Sequence, residues 1–329
     1  MKLSKPKYFD EFRCIAGACP DSCCKEWSVV VDGEKAAFYR SLEGDLGDRL
    51  RQVLEEEDGE TVMAIEDGRC PMWRADGLCR VQAELGESAL CNTCRDFPRL
   101  THDYGDFVER QLELSCPVAA ELILHGCRKL EEQDVPGGEA PEYDMEAMGI
   151  LLRTRQEALE LLEDQSLPAQ SALASLLIYS YSVQNELDGG EVSAAPRRDL
   201  HLQLPEGAGR AYAVLNFFSE LEILTPQWKK RLTSPMQGAW SEDFRALASY
   251  FVMRYWLQAV ADYDLVARVK LIVVSCLVIK LLGGDVCATA QLYSKEIEND
   301  ADNVDAILDG AYDAPALTDA NLLVLLLAT

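Results

Sequence analysis

The pattern of apolar and polar positions changes near residue 131. Beyond residue 144, apolar residues recur at intervals of three and four, the spacing that places them on one face of an α-helix. This spacing predicts an α-helical, bundle-like domain with helices over 145–162, 168–186, 209–224, 241–263, 264–282, 289–308 and 318–328. The paired glycines of "LLGGDV" end one of these helices, and residues 186–209 have the composition of a long surface loop.

Before residue 131 the predicted elements are short. β-Branched or alternating runs predict strands over 27–33, 61–68 and 105–115, and residues 34–57 have helical periodicity that Gly44 and Gly47 weaken. The stretch "EEQDVPGGEAPEYD" is acidic and rich in Pro and Gly, which indicates a linker. We therefore expect an α+β, mostly α fold, with a cysteine-rich N-terminal domain (1–130), a linker (131–144) and a helical domain (145–329).

Charge and apolar content exclude several classes of partner. The formal net charge of −25 over 329 residues argues against nucleic acid, whose binding depends on Lys and Arg, and against an anionic membrane surface. The most apolar run, 271–279, is far shorter than the roughly 20 residues of a membrane-spanning helix. The first ten residues lack the apolar region of a signal peptide, so we expect a cytoplasmic protein.

Ten of the twelve cysteines precede residue 128, and the other two, Cys276 and Cys287, lie in apolar segments where burial is expected. In a reducing compartment, clustered cysteines more often bind metal than form disulfides. Soft thiolates select zinc, copper(I) or iron–sulfur centres. The candidate ligands are Cys14, Cys19, Cys23, Cys24, Cys70, Cys79, Cys91, Cys94 and Cys116. Nine candidates exceed one four-ligand site, so either two sites exist or some thiols are accessory.

Local sequence supports thiolates at two of these places. Pro117 favours the first position of a helix, which makes Cys116 the N-cap, where the helix dipole stabilises a thiolate. Ser88 is expected to cap a helix shortly before Cys91 and Cys94. Disulfides and inert buried thiols are the alternatives, and spacing does not separate zinc from iron–sulfur. The Cys-x3-Cys-x2-Cys of radical S-adenosylmethionine enzymes, a Rossmann fingerprint, a Walker A sequence and a nucleophile elbow are all absent from the sequence.

Four short motifs resemble the flagellin lysine N-methylase family. They are Cys-Cys-x-x-Trp at 23–27, Cys-Pro-x-x at 70–73, Thr-Cys-x-x-x-Pro-Arg at 93–99 and Ser-Cys-Pro at 115–117. Segments 251–269 and 292–304 also fit this family, although its Glu-His pair is Glu298-Asn299 here. The resemblance implies methyl transfer to lysine side chains of flagellin, with S-adenosylmethionine as donor and a cysteine-bound iron–sulfur (4Fe-4S) cluster. Zinc is the alternative metal.

The motif near the C-terminus supplies candidates for the proton transfer that lysine methylation needs. Glu296, Glu298 and Tyr293 are the candidate catalytic residues, and a plain polar helix face is the alternative. The segment "RYW" at 254–256 is expected to join helices through a buried arginine rather than line a pocket. A non-catalytic zinc- or iron-binding, chaperone-like module and a redox or metal-delivery protein are the competing functions.

Overall fold

The computed structural model describes residues 1–25, 27, 29–57, 59–200, 202–203 and 209–327. Parts of the predicted strand 27–33, loop 186–209, helix 318–328 and domain 145–329 lie outside these residues. The described part is mostly helical, with short strands confined to the N-terminal region. Its α-helices are α1 Gly33–Ser41, α2 Gly44–Val53, α3 Arg80–Leu85, α4 Asn92–Asp96, α5 Pro117–His125, α6 Met145–Glu163, α7 Ala169–Leu187, α8 Ala211–Glu220, α9 Pro226–Thr233, α10 Asp243–Tyr255, α11 Leu265–Leu282, α12 Val286–Tyr293, α13 Ala301–Asp313 and α14 Asp319–Leu327.

Helix α11 is the centre of the helical part, because almost every one of its residues is buried. It packs against α7, α10, α12 and α13. The prediction of helices after residue 144 is confirmed, with three corrections. Helix α9 lies between the predicted helices 209–224 and 241–263 and was not predicted. Segment 241–263 is α10 followed by a 3₁₀ turn, Trp256–Val260. Segment 289–308 is interrupted by a π-helical turn, Ser294–Glu298, between α12 and α13.

A four-stranded sheet has the order β5-β6-β1-β7 and contains β1 Lys2–Pro6, β5 Arg99–Asp103, β6 Phe107–Leu112 and β7 Leu130–Asp134. Strand β1 runs parallel to β6 and antiparallel to β7. The sequence predicted β6 but not its three neighbours. Strand β7 occupies the start of the predicted linker, and Lys2 of β1 pairs with Asp134 of β7 at 3.1 Å. This sheet and α5 share one hydrophobic core with the helices.

A second sheet, with order β2-β4-β3, consists of β2 Val29–Val30, β3 Leu54–Glu57 and β4 Glu60–Met63. With α1 and α2 it encloses a small core around Tyr39, Leu50 and Met72. Residues 29–91 thus have their own core, whereas other N-terminal residues pack into the helical one. The division into domains 1–130 and 145–329 stays a prediction. Within the described ranges, no helix is long and apolar enough to cross a membrane.

Candidate functional site

Five cysteines interact electrostatically with one another, and we call them the first cysteine set: Cys24, Cys70, Cys79, Cys91 and Cys94. Burial, together with the neighbouring thiolates, raises the pKa of Cys70 to about 12. A hydrogen bond from the Cys94 thiol lowers the pKa of Cys91 to about 7, and one from Cys23 lowers that of Cys24 to about 7. These hydrogen bonds favour the thiolate form of Cys24 and Cys91, which is the form that binds metal.

The second cysteine set contains Cys14, Cys19, Cys23 and Cys116, whose thiols interact in the same way. Burial raises the pKa of Cys116 to about 11 and also raises that of Cys19. Cys23 hydrogen-bonds to Cys24 of the first set, which raises the pKa of Cys23. The sequence predicted nine clustered thiols, and the structure divides them into five and four.

Three of these cysteines are the N-cap residues of helices. Cys79 precedes α3, Cys91 precedes α4 and Cys116 precedes α5, so each sulfur atom is attached to the residue at which a helix begins. The prediction for Cys116 and Pro117 is confirmed. The prediction that Ser88 caps the helix at Cys91 is wrong, because Cys91 itself holds that position. Free N–H groups at helix starts stabilise negative sulfur at each of these three places.

The donor chemistry of both sets fits a soft metal or an iron–sulfur cluster. All twelve cysteines are free thiols, so the disulfide alternative is not supported. Among the described residues, however, no three or more His, Cys, Asp or Glu side chains are arranged as the ligands of a metal ion. The thiols of either set would therefore have to turn toward each other to hold a metal. Metal binding by the nine cysteines stays a prediction.

Two glycines let the loops of the two sets approach closely. Gly77, two residues before Cys79, has φ +79°, and a Cβ there would lie 3.0 Å from the Cα of Gly17. A Cβ on Gly17 would lie 2.7 Å from the carbonyl oxygen of Asp76. Any side chain at either position would push apart the loops that contain Cys14, Cys19 and Cys79.

Helix α12 and the π-helical turn hold the loops of the second set. Gln291 donates from Nε2 to Asp21 Oδ2 at 2.9 Å and to the carbonyl oxygen of Ser115 at 2.7 Å. Lys295 Nζ donates to both carboxylate oxygens of Asp21, at 3.1 and 3.2 Å, and lies 5.7 Å from the ring centre of Trp27. Asp21 lies between Cys19 and Cys23, and Ser115 precedes Cys116. The C-terminal motif is therefore connected to the second set.

Glu298 is the centre of a buried polar network. Its Oε1 accepts from Arg254 Nε at 2.9 Å and from the Tyr255 hydroxyl at 2.9 Å, and its Oε2 accepts from the Tyr250 hydroxyl at 3.1 Å. Arg254 also lies 3.9 Å from Glu113, and burial raises the pKa of Glu113 despite this cation. The expected structural role of Arg254 is confirmed. Glu113 is a candidate that the sequence missed, and its only signal was its place beside the Ser-Cys-Pro motif.

The structure does not bring the three predicted catalytic residues to one point. Glu296 Oε2 accepts from the backbone N–H of Leu224 at 2.8 Å, while its other oxygen is buried without a partner. The Tyr293 hydroxyl lies 2.6 Å from Ser275 Oγ in the core, and Glu298 faces α10. All three side chains are buried. Burial raises the pKa of Glu296, and the catalytic role of the three residues stays a prediction.

A cavity of about 510 Å³ opens between β1, α5, α6 and α10, and Tyr250 of the Glu298 network forms part of its wall. The Tyr250 hydroxyl also accepts from the backbone N–H of Leu114 at 3.4 Å, two residues before Cys116. None of the nine candidate cysteines lines this cavity. The cavity, the Glu298 network and the loop of Cys116 are thus neighbours.

The chain is similar to a flagellar biosynthetic protein and to two lysine-N-methylases. A region of 131 residues is 34% identical to the flagellar biosynthetic protein FliU of Salmonella muenchen and covers 37% of this chain and 77% of that protein. A region of 130 residues is 33% identical to the lysine-N-methylases of Salmonella typhimurium and Salmonella choleraesuis, and it spans 32% of their length. No family model and no solved structure matches the chain.

Proposed function

The chain belongs to the flagellin lysine N-methylase family, and on this premise we propose that it methylates lysine side chains of flagellin, with S-adenosylmethionine as the methyl donor. The similarity to FliU, which spans most of that relative, is the observation that supports this proposal. The lysine-N-methylases add the type of reaction, although the matched region is a third of their length. The proposed compartment is the cytoplasm, where free thiols stay reduced.

Lysine methylation needs a neutral amine placed in line with the methyl group of the donor. Removing the ammonium group from water lowers its pKa, and a nearby base then takes the proton. A net charge of −25 attracts a cationic side chain before that step. The chemistry therefore requires an apolar entrance next to a carboxylate that can accept a proton.

Glu113 meets the second requirement better than Glu298, and unlike Glu296 it lies beside Arg254, which donates to the Tyr250 hydroxyl. Burial raises the pKa of Glu113, which makes its carboxylate a stronger base than a solvent-exposed one. Glu298 already accepts hydrogen bonds from Arg254 and Tyr255, so its carboxylate is engaged. We assign Glu113 as the proton acceptor and Glu298 as the group that fixes Arg254 beside it.

The two cysteine sets are proposed to bind an iron–sulfur cluster, with zinc as the alternative. Their thiols have the donor chemistry that these centres need, and loops with little apolar core gain stability from such a centre. When bound, the centre would join the loop of Asp21 to that of Ser115, which Gln291 already connects. The proposed proton transfer from lysine does not involve this centre, because the proton acceptor is the carboxylate of Glu113.

The test is mass spectrometry of purified flagellin after incubation with the protein and S-adenosylmethionine. The proposal predicts mass increments of whole methyl groups on lysine-containing peptides, and none without the donor. A Glu113→Gln variant should leave flagellin binding intact and slow the methyl transfer. If the protein binds metal but leaves flagellin unmodified and has no affinity for the donor, the non-catalytic metal-binding module replaces this proposal.

A further inference from the structure

The cavity between β1, α5, α6 and α10 has a buried floor. Its floor residues, defined as the buried ones that line it, include Tyr8, Ile123, Ala246 and Tyr250. A cavity of about 510 Å³ lies within the range of ~300–1,000 Å³ that small-molecule sites occupy. An apolar floor of this kind favours the transfer of a flat aromatic group or an aliphatic group from water into the cavity.

Polar groups at fixed positions accompany this apolar floor. Ser249 is 6% exposed and lines the cavity, and its buried hydroxyl has no hydrogen-bond partner among the described atoms. Gln111, also a floor residue, is held 3.3 Å from the imidazole Nε2 of His102. A buried hydroxyl without a partner is unfavourable, so a ligand atom that bonds to Ser249 would remove that cost.

Charges of both signs surround the opening. The rim residues, defined as the exposed or half-exposed charged residues that line the cavity, are Arg128, Lys129, Glu160 and Glu163. Arg128 pairs with Glu163 at 3.0 Å, which leaves Lys129 and Glu160 as one cation and one anion at the same opening. A rim of this kind suits a zwitterion, because its carboxylate and its ammonium group each find an opposite charge.

We propose that this cavity binds the methyl donor, a molecule that joins an aromatic nucleoside to a zwitterionic amino acid. The inference rests on the proposed function for the identity of the donor. The adenine would lie on the floor beside Tyr8 and Ile123, and the amino acid end would face Lys129 and Glu160 at the rim. Tyr250 lines this site and also donates to Glu298, whose partner Arg254 lies 3.9 Å from Glu113, so the site and the proposed base share one polar network.

The experiment is isothermal titration of S-adenosylmethionine and S-adenosylhomocysteine into anaerobically purified protein. Met253 lines the cavity and is half-buried, so Met253→Trp should fill part of the space and weaken binding at least ~10-fold, which corresponds to about 1.4 kcal/mol. Ser249→Ala removes the unpartnered hydroxyl and should weaken binding without lowering the melting temperature of the unliganded protein. Met145→Trp, on the exposed start of α6, is the matched control and should bind as the parent does.

Photolabelling with an azido-adenine analogue of the donor does not depend on a variant that folds. The label is expected on peptides that contain Tyr8 or Ile123, and excess unlabelled donor should suppress it. If the parent protein binds the donor while Met253→Trp binds equally and the label maps elsewhere, the cavity assignment is wrong and the proposed function survives. If the parent protein does not bind the donor, both fail.

Discussion

The carboxamide of Gln291 donates a hydrogen bond to the carboxylate of Asp21, 270 positions earlier in the chain, at 2.9 Å. The same nitrogen donates to the carbonyl oxygen of Ser115, beside Cys116. One side chain of α12 therefore fixes two loops that contain three of the four thiols of the second cysteine set. Gln291 therefore connects the packed helices to the loops that contain these thiols.

Replacing Gln291 with alanine should free both loops. The loss of two partly buried hydrogen bonds, one to a charged acceptor, should cost about 2–4 kcal/mol of unfolding free energy. Cys19 and Cys23 should also react faster with a thiol reagent. Thermal unfolding and timed labelling measure the two effects, with exposed Gln52→Ala on α2 as the control. Unchanged labelling would contradict the positioning role of Gln291.

Glu113→Gln and Glu298→Gln should differ in stability although both remove one buried carboxylate. Glu298→Gln breaks a hydrogen-bonded pair with Arg254 and should cost about 3–5 kcal/mol. Burial raises the pKa of Glu113, so its ionisation opposes folding, and the cost grows as pH rises above the unfolded pKa. Glu113→Gln should therefore melt at or above the parent temperature at pH 8. Melting curves at pH 5 and 8 test this, with exposed Glu56→Gln as the control.

Alanine at Gly77 should separate the two cysteine loops. The positive φ disfavours any side chain there, and the added Cβ would press on Gly17, so we expect a loss of about 1–3 kcal/mol. Gly149→Ala is the matched control, because this helical glycine has open space around it and should gain about 0.5–1 kcal/mol. Chemical denaturation of both variants measures the difference, and equal effects would show that the loops do not need close contact.

Iodoacetamide should modify Cys24 before Cys23 in metal-free protein, although Cys23 is the more exposed thiol. The pKa of Cys24 is lowered to about 7, whereas that of Cys23 is raised. The reactive thiolate fraction of Cys24 should rise with pH through about 7 and level off above it. Peptide mass spectrometry after short labelling between pH 6 and 9 follows both residues. Faster labelling of Cys23 at pH 8 would contradict the hydrogen-bond direction.

Protein made without oxygen should contain iron and absorb visible light through sulfur-to-iron charge transfer. Cys24→Ser and Cys116→Ser remove one thiol from each cysteine set and should reduce the bound metal. Cys127→Ser is the control, because this exposed thiol belongs to neither set. Colourless protein with stoichiometric zinc would show that the bound metal is zinc and not an iron–sulfur cluster. Full metal content in all three variants would refute metal binding by these sets.

Helices were predictable because their apolar residues repeat regularly. Strand β7 was not predictable, since all five of its residues are exposed and most are acidic. It forms through pairing with β1, more than a hundred positions away, where Lys2 meets Asp134. The interruption at Ser294–Glu298 was also missed, because a π-helical turn preserves helical spacing on each side.

In the candidate site, too, features set by neighbouring residues were predictable, whereas features set by contacts between distant residues were not. Cys116 was correctly expected at an N-cap because Pro117 follows it directly. The grouping of nine thiols into five and four depends on loop packing, such as that of Gly17 on Gly77, which spacing does not encode. Glu113 was missed because its raised pKa comes from burial, and because its charged neighbours Arg254 and Glu298 lie far along the chain.

Cys23 and Cys24 are consecutive residues, yet each interacts with a different group of thiols. Consecutive α-carbons are only about 3.8 Å apart. Any two metal centres built on these two groups would therefore have ligands on adjacent residues of the chain. A displacement of one group of thiols would thus be passed directly to the other through a single peptide unit.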